Sequence, residues 1–462
     1  APMPSNTSAR DSQNYSVPFA ILTGLFFMWG FITCMNDILI PYLKDVFDLN
    51  HTQAMFVQFA FFGAYFVGSL VYFLVSARSG DPIGRIGYKN GIIIGLLLAA
   101  VGTALFYPAA ALVSYPFFLA ALFVLGLGFT LLQIAANPYV AILGSERTAS
   151  SRLNLAQGFN SFGTTIAPVI GGYLIFRYFS DAPGADSVRI PYLVFAGLFV
   201  LMAIAIRMAH LPEFTGSRSA ERGTGALKHR HTILGMMAIF MYVGAEVSIG
   251  SIMISFLGLE EIAGLEPVDA SHFVSIYWGG LMIGRFLGAI SLSGVRPGRK
   301  YAIMILIPVV AFAAMIYLQS WAVAQVYGIF LALSLSGFFI GRSLPARTLL
   351  VFALASAALL AIALATTGSV AMWTIIGIGL FNSIMWSNIF TLSIAGLGKD
   401  TSQASSLLVM AIVGGAILPV FQGAAADGFG VHASFFVPLL AYLYIAWYGW
   451  KGYIPKHGKR EV

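Results

Sequence analysis

Residues 90–110 read NGIIIGLLLAAVGTALFYPAA. No charge interrupts them, and their number matches the roughly 20 residues a helix needs to cross the hydrocarbon core of a bilayer. Runs of the same kind lie on either side, at 18–43, 53–77, 115–143, 154–178 and 190–210. A polar, basic stretch from Leu211 to His231 follows, and the runs then resume at 232–258, 271–294, 301–319, 322–340, 348–368, 370–396, 403–426 and 434–450. The expectation is an all-α integral membrane protein of fourteen spans: six, a linker, then eight.

Composition agrees. Of 462 residues, 59% are hydrophobic and 9% are charged, whereas a soluble domain carries about 25% charged residues. A soluble fold of this length could not hide that much apolar surface, and lipid removes the difficulty. The net charge of +7 is therefore read as a topology signal rather than as a nucleic-acid footprint. With the N-terminus inside, the inward loops hold Arg78, Arg85, Lys89, Arg147, Arg152, Lys228, Arg230, Arg296, Arg299, Lys300, Arg342, Arg347 and Lys399 among others. The outward loops hold Lys44, Arg177 and Arg189. The positive-inside rule then places both termini in the cytoplasm. Residues 1–16 read as a disordered leader, 17–210 as a first bundle, 211–231 as a cytoplasmic linker, 232–453 as a second bundle and 454–462 as a tail. No cleavable signal peptide is expected, and the Ala1-Pro2 start reads as a processed or engineered end. Cys34 is the single cysteine, so neither an intrachain disulfide nor a cysteine-based metal site is expected.

The halves echo one another. Arg85, Gly87 and Lys89 follow the second span, and Arg296, Gly298 and Lys300 follow its counterpart at an offset of 211 (296 − 85). Asn137 matches Asn388 and Pro168-Val169 matches Pro419-Val420, both at 251 (388 − 137 and 419 − 168). The offset grows by 40, about two spans with a tight turn. The reading is a six-plus-six parallel repeat with an extra hairpin near 301–340, expected to be lipid-facing and outside the transport path. Parallel repeats of this kind build the halves of major-facilitator transporters.

Of eighteen carboxylates, Asp37 and Glu246 fall well inside spans. A mid-helix Asp costs about 2.5–3.5 kcal/mol to insert, so such residues usually face a polar cavity and mark a substrate or ion path. The alternative reading of each is structural, a pairing with Arg285 or an Asn. Amides cluster as well: Gln133 and Asn137 share a helix face at i and i+4, Gln157 and Asn160 at i and i+3, Asn36 adjoins Asp37, and Asn382 and Asn388 share a span. Amides offer donors and acceptors suited to a polyhydroxylated ligand, although they also serve as interhelical bonds. Trp278, Trp373 and Trp386 offer rings for sugar C–H faces or anchors for helix ends; Trp386 shares its span with Asn382. Gly126-Leu127-Gly128 and Gly171-Gly172 read as close-packing helix residues rather than phosphate loops. Pro138 and Pro168 are expected to kink their spans.

Several stretches resemble the fucose-permease-like sugar:cation symporter group of the major facilitator superfamily. They are Asn36-Asp37-Ile38-Leu39-Ile40-Pro41, Ala135-Ala136-Asn137-Pro138, Asn154-Leu155-Ala156-Gln157 with Phe159-Asn160-Ser161-Phe162-Gly163, Tyr242-Val243-Gly244-Ala245-Glu246 and Val413-Gly414-Gly415. The resemblance implies two six-helix bundles around a central cavity and alternating access. It further implies that Asp37 corresponds to the group's span-one Asp and Gln157 to its span-five Gln. A membrane Glu of the fucose permeases falls on Gln133 here, and Gln133 together with Glu246 is similar to the bacterial glucose/galactose branch. The implied function is hexose import coupled to a proton or sodium ion. Asp37 and Glu246 would couple the cation, and Asn36, Gln133, Asn137, Gln157, Asn160, Glu246, Trp278, Asn382 and Trp386 would contact the sugar. No cofactor beyond the co-transported ion and no nucleic acid is expected, and a monomer in the bacterial inner membrane is the working form. A transport-fold sensor, a drug antiporter, an intramembrane enzyme, or carriage of N-acetylglucosamine or fucose are the alternatives.

Overall fold

The computed structural model describes residues 16–48, 51–173, 188–212 and 224–455. Nearly all of the expected leader and tail, the middle of the linker, the end of the fifth span and the side chains of Asn36 and Asp37 lie outside the described residues. No strand occurs among them. The first half holds α1 (Ser16–Phe47), α2 (His51–Ser79), the short α3 (Pro82–Ile86), α4 (Tyr88–Ala104), α5 (Phe106–Ala111), α6 (Tyr115–Ile142), α7 (Ala149–Tyr173) and α8 (Arg189–Met208). The second holds α9 (Arg230–Leu257), α10 (Pro267–Ser291), α11 (Pro297–Leu318), α12 (Trp321–Gly341), α13 (Pro345–Ala365), α14 (Gly368–Asn382), α15 (Met385–Ile394), α16 (Thr401–Met410), α17 (Gly414–Phe429) and α18 (Phe436–Trp447).

Among the described residues, thirteen helical stretches are long and apolar enough to cross a membrane. Helix α7 is not among them, although its 25 residues suffice in length. Arg152, Asn154, Gln157 and Asn160 make it too polar, and with it the described residues hold the fourteen spans expected. Among the described residues, α4 and α5 divide the stretch Tyr88–Ala111 at Leu105, and two spans of the second half are discontinuous as well. Helices α14 and α15 share the stretch Gly368–Ile394 and part at Ser383-Ile384; α16 and α17 are separated by a 3₁₀ turn at Ala411–Val413. The turn between α2 and α4 is set by Asp81, whose carboxylate accepts from Gly84 N at 2.9 Å. Gly87, at φ 84°, takes the left-handed conformation that ends α3 and starts α4, a conformation glycine adopts without penalty.

The chain forms two compact units that do not follow its order. One comprises Ala1–Glu146, Phe159–Lys228 and Gly396–Met410; the other comprises Arg147–Gly158, His229–Ala395 and Ala411–Val462. In the first unit α4 packs on α6 and α8. Small residues allow that approach: a Cβ on Gly102 would lie 2.3 Å from Leu125 N, and one on Gly128 would lie 2.5 Å from Ala99 N. The same unit takes in α16, where Gln403 Nε2 donates to Ser76 Oγ at 3.1 Å and Gln403 Oε1 accepts from Ala226 N at 2.9 Å.

In the second unit Gly280, Gly284 and Gly288 form one face of α10 against α14 and its break; a Cβ on Gly284 would lie 2.1 Å from Ser383 Oγ. The opening turns of α7 belong here. Ser151 donates to Ala289 O, and Asn154 Nδ2 donates to Asn388 Oδ1 at 3.2 Å. Helix α13 packs on α14 and α18, as α4 packs on α6 and α8, which makes α13 the repeat image of α4. Helices α11 and α12 are therefore the additional pair, starting and ending close to the expected 301–340. Along α11 17% of the span is buried and along α12 39%, against 94% along Gly368–Ile394, so α11 lies at the outside of its unit and the broken span at its centre.

Candidate functional site

Each unit carries a buried polar cluster. In the first, α6 brings Gln133 and Asn137 to one face, as their spacing predicts, and Asn137 Nδ2 donates to Gln133 Oε1 at 3.1 Å. Tyr65 on α2 lies within hydrogen-bonding reach of the side chains of Gln133 and Trp29. Trp29 on α1 packs against Phe26 and Phe129. The result is an amide pair, a phenol and an indole drawn from three helices. Asn160 belongs to this unit, but its Nδ2 donates to Phe26 O at 3.0 Å, which ties α7 to α1.

The second cluster centres on α9. Tyr242 and Glu246 are one turn apart, and the Tyr242 hydroxyl donates to Glu246 Oε1 at 2.7 Å. The Arg285 guanidinium, on α10, is close enough for its charge to act on both. Arg285 Nε also donates to the Ser383 carbonyl at 3.3 Å, a group released by the break between α14 and α15. A directed chain of hydrogen bonds runs beside this pair. Tyr442 donates to Asn382 Oδ1 at 2.6 Å, Asn382 Nδ2 donates to the Tyr277 hydroxyl at 2.8 Å, and Tyr277 donates to the Glu246 carbonyl at 3.2 Å. Asn382, Tyr277 and Tyr442 are fully buried. A buried charge needs a partner and further hydrogen bonds to persist, and this arrangement supplies both to Glu246.

The remaining candidates divide. Gln157 is buried and lies in the α7 segment of the second unit. Trp386 is buried and stacks on Phe390, with ring centroids 6.0 Å apart, while its Nε1 has no hydrogen-bond partner among the described residues. Trp278 is 42% exposed and packs its edge over Gly250. Asn36 and Asp37 lie on α1, their side chains outside the described residues. The structure thus joins Gln133 to Asn137, and links Asn382 to Glu246 through Tyr277; Asn160 turns to backbone instead.

Sequence reasoning passed over the tyrosines. Tyr65, Tyr242, Tyr277 and Tyr442 sit within spans rather than at their ends, so they are not interfacial anchors. The i, i+4 spacing of Tyr242 and Glu246 was the available signal. Arg285 entered only as one structural partner among several, and the structure brings its charge to bear on Glu246.

A family model described as Major Facilitator Superfamily matches residues 20–346. The chain is 45% identical over 452 residues to a glucose/galactose transporter of Brucella abortus, with 96% of each chain covered. It is 30% identical over 467 residues to the L-fucose-proton symporter of Escherichia coli, covering 95% of this chain and 93% of that one. Among solved structures, it is similar to the crystal structure of FucP, a Major Facilitator Superfamily transporter in the outward conformation. The TM-score is 0.76 at 30% identity, over 95% of this chain and 99% of the other.

Proposed function

This chain belongs to the Major Facilitator Superfamily, whose members are transporters and not enzymes, and we propose that it imports a hexose of the glucose or galactose type by proton symport through alternating access. The observation that carries the reading is Glu246, a membrane-embedded carboxylate held between the Tyr242 hydroxyl and the charge of Arg285. An acid kept in that position at an insertion cost of about 2.5–3.5 kcal/mol implies use. The similarity to glucose/galactose transporters and to a fucose–proton symporter supports the substrate class and the coupling ion.

In this mechanism Asp37 and Glu246 are the coupling carboxylates. Protonation of Glu246 cancels its attraction for Arg285. Because Arg285 also holds the Ser383 carbonyl, the change reaches the break in the central span of the unit. Sugar hydroxyls bond to Gln133, Asn137 and Gln157, and Trp386 offers its ring and its free Nε1. Asn36, Asn160, Trp278 and Asn382 complete the proposed set. The protein sits in the bacterial inner membrane, with both termini cytoplasmic by the charge pattern, and works as a monomer.

The test is radiolabelled glucose and galactose uptake in proteoliposomes under an imposed proton gradient and, separately, a sodium gradient. Uptake driven by protons and competed by hexoses is expected. Uptake driven by sodium alone would replace the proton as coupling ion, and no gradient-driven uptake of any hexose by folded protein would overturn the proposal.

A further inference from the structure

The end of the α11–α12 hairpin that the charge pattern assigns to the cytoplasm gathers cations that form no ion pair among the described residues. Arg296 caps α11, Arg299 and Lys300 lie in its first turn, and Arg342 follows the last residue of α12. The three arginines are exposed. Lys300 Nζ donates to Ser291 O and to Ser343 Oγ, each at 3.1 Å, which draws the ends of α10, α11 and α12 together. The positive charge of Arg147 reaches Lys300 at the same place. Arg342 and Ser343 both take the left-handed conformation, at φ 51° and 60°, so a tight turn fixes this corner. The described acids of the unit are Glu246, within α9, and Glu260, Glu261, Glu266, Asp269 and Asp427, all at the opposite membrane face by the helix order. None of the cations at the hairpin end takes part in an ion pair among the described residues.

Positive loops alone report topology. Here the charge adjoins a lipid-facing surface. Above it α11 exposes Ile305, Leu306, Val309 and Val310, and α12 exposes Ile329, Leu333, Phe339 and Ile340. Tyr301, next to Lys300 and half-exposed, meets Phe339 across the hairpin with ring centroids 5.7 Å apart. Cations unpaired among the described residues, an aromatic at headgroup depth and an apolar track beyond it are complementary to one ligand chemistry, a phosphate headgroup on acyl chains.

We propose that the cytoplasmic end of the α11–α12 hairpin binds the headgroup of an anionic phospholipid, whose acyl chains lie along the two helices. The hairpin then acts as a lipid-anchored outrigger of its unit. The site does not depend on which sugar or cation the protein carries.

The test measures the thermal midpoint of the purified full chain with phosphatidylglycerol, with phosphatidylcholine, and with inorganic phosphate or glycerol 3-phosphate, alongside native mass spectrometry of retained lipid. Phosphatidylglycerol is expected to raise the midpoint and to remain bound where phosphatidylcholine does not. The R296Q/R299Q/R342Q variant should lose that preference, and R296K/R299K/R342K should keep it. Should the triple glutamine variant not fold, Arg342→Gln alone should weaken phosphatidylglycerol binding about fivefold, from about 1 kcal/mol per basic residue near a membrane surface. Equal effects of the two lipids, a preference that survives the glutamine variants, or a full shift from the soluble phosphates would each overturn the proposal.

Discussion

The Tyr442 hydroxyl donates to Asn382 Oδ1 at 2.6 Å, and Asn382 has already committed an N–H to Tyr277 at 2.8 Å. Asn382 is fully buried, and its amide fastens two tyrosines while one N–H and one oxygen lone pair stay uncommitted to them. Replacement by alanine strands the Tyr442 hydroxyl and leaves Tyr277 only its bond to the Glu246 carbonyl. An unsatisfied buried group costs about 1–3 kcal/mol, while hydrogen bonds within membrane proteins average nearer ~0.6 kcal/mol. Asn382→Ala is therefore expected to lower stability by about 1–3 kcal/mol. Unfolding in detergent measures it, and an unchanged midpoint would show that the chain from Tyr442 to Glu246 has no weight.

Coupling and binding separate in the carboxylate variants. Asp37→Asn and Glu246→Gln are expected to abolish accumulation of hexose against its gradient while sugar exchange persists in part. Counterflow and gradient-driven uptake, measured on the same vesicles, distinguish the two. Concentrative uptake at wild-type level by either variant would remove that residue from the coupling scheme.

Close helix contact in the second unit depends on Gly379. A Cβ there would lie 2.1 Å from the Tyr277 carbonyl oxygen, whereas one on Gly279 meets nothing within 4 Å. Gly379→Val should cost about 1–3 kcal/mol or more by overpacking and displace Tyr277 from Asn382. Gly279→Val should be tolerated. Equal stability of the two variants in thermal unfolding would contradict the packing described.

Asp81 supplies a pH signature outside the membrane spans. Burial raises its pKa above the ordinary carboxylate range, against opposing hydrogen bonds from Tyr72, Gly84, Ser402 and Ile83. A carboxyl raised in the folded state binds its proton more tightly there than in the unfolded chain. It therefore withdraws stability as pH climbs from about 4, the ordinary value, through its raised value. Asp81→Asn lacks this slope. The midpoint of the wild type minus that of the variant should shrink as pH increases across that window, and parallel curves would refute it.

The spans were legible because charge-free runs of membrane length have few other readings. The hairpin was legible because an offset that jumps by two spans leaves a countable surplus. Helix α7 was read as an apolar run over 154–178, although Arg152, Asn154, Gln157 and Asn160 make it more polar than its neighbours. The break at Ser383-Ile384 was not legible, since neither residue is a helix breaker; it depends on Arg285 taking up the freed carbonyl from another helix. The tyrosine partners of Glu246 and Asn382 were equally hidden. A sequence shows an amide as open donors and acceptors, and only packing shows which of them are already taken.

The exchange of segments between the two halves has a thermodynamic consequence. The first half of the chain lacks Gly396–Met410, which completes its unit, and the second lacks Arg147–Gly158. Cutting at the linker would therefore release two incomplete modules rather than two folding domains. Heating the intact chain should melt both units in one cooperative transition, because neither can lose its borrowed segment without exposing Ser76 and Gln403 on one side or Asn154 and Asn388 on the other.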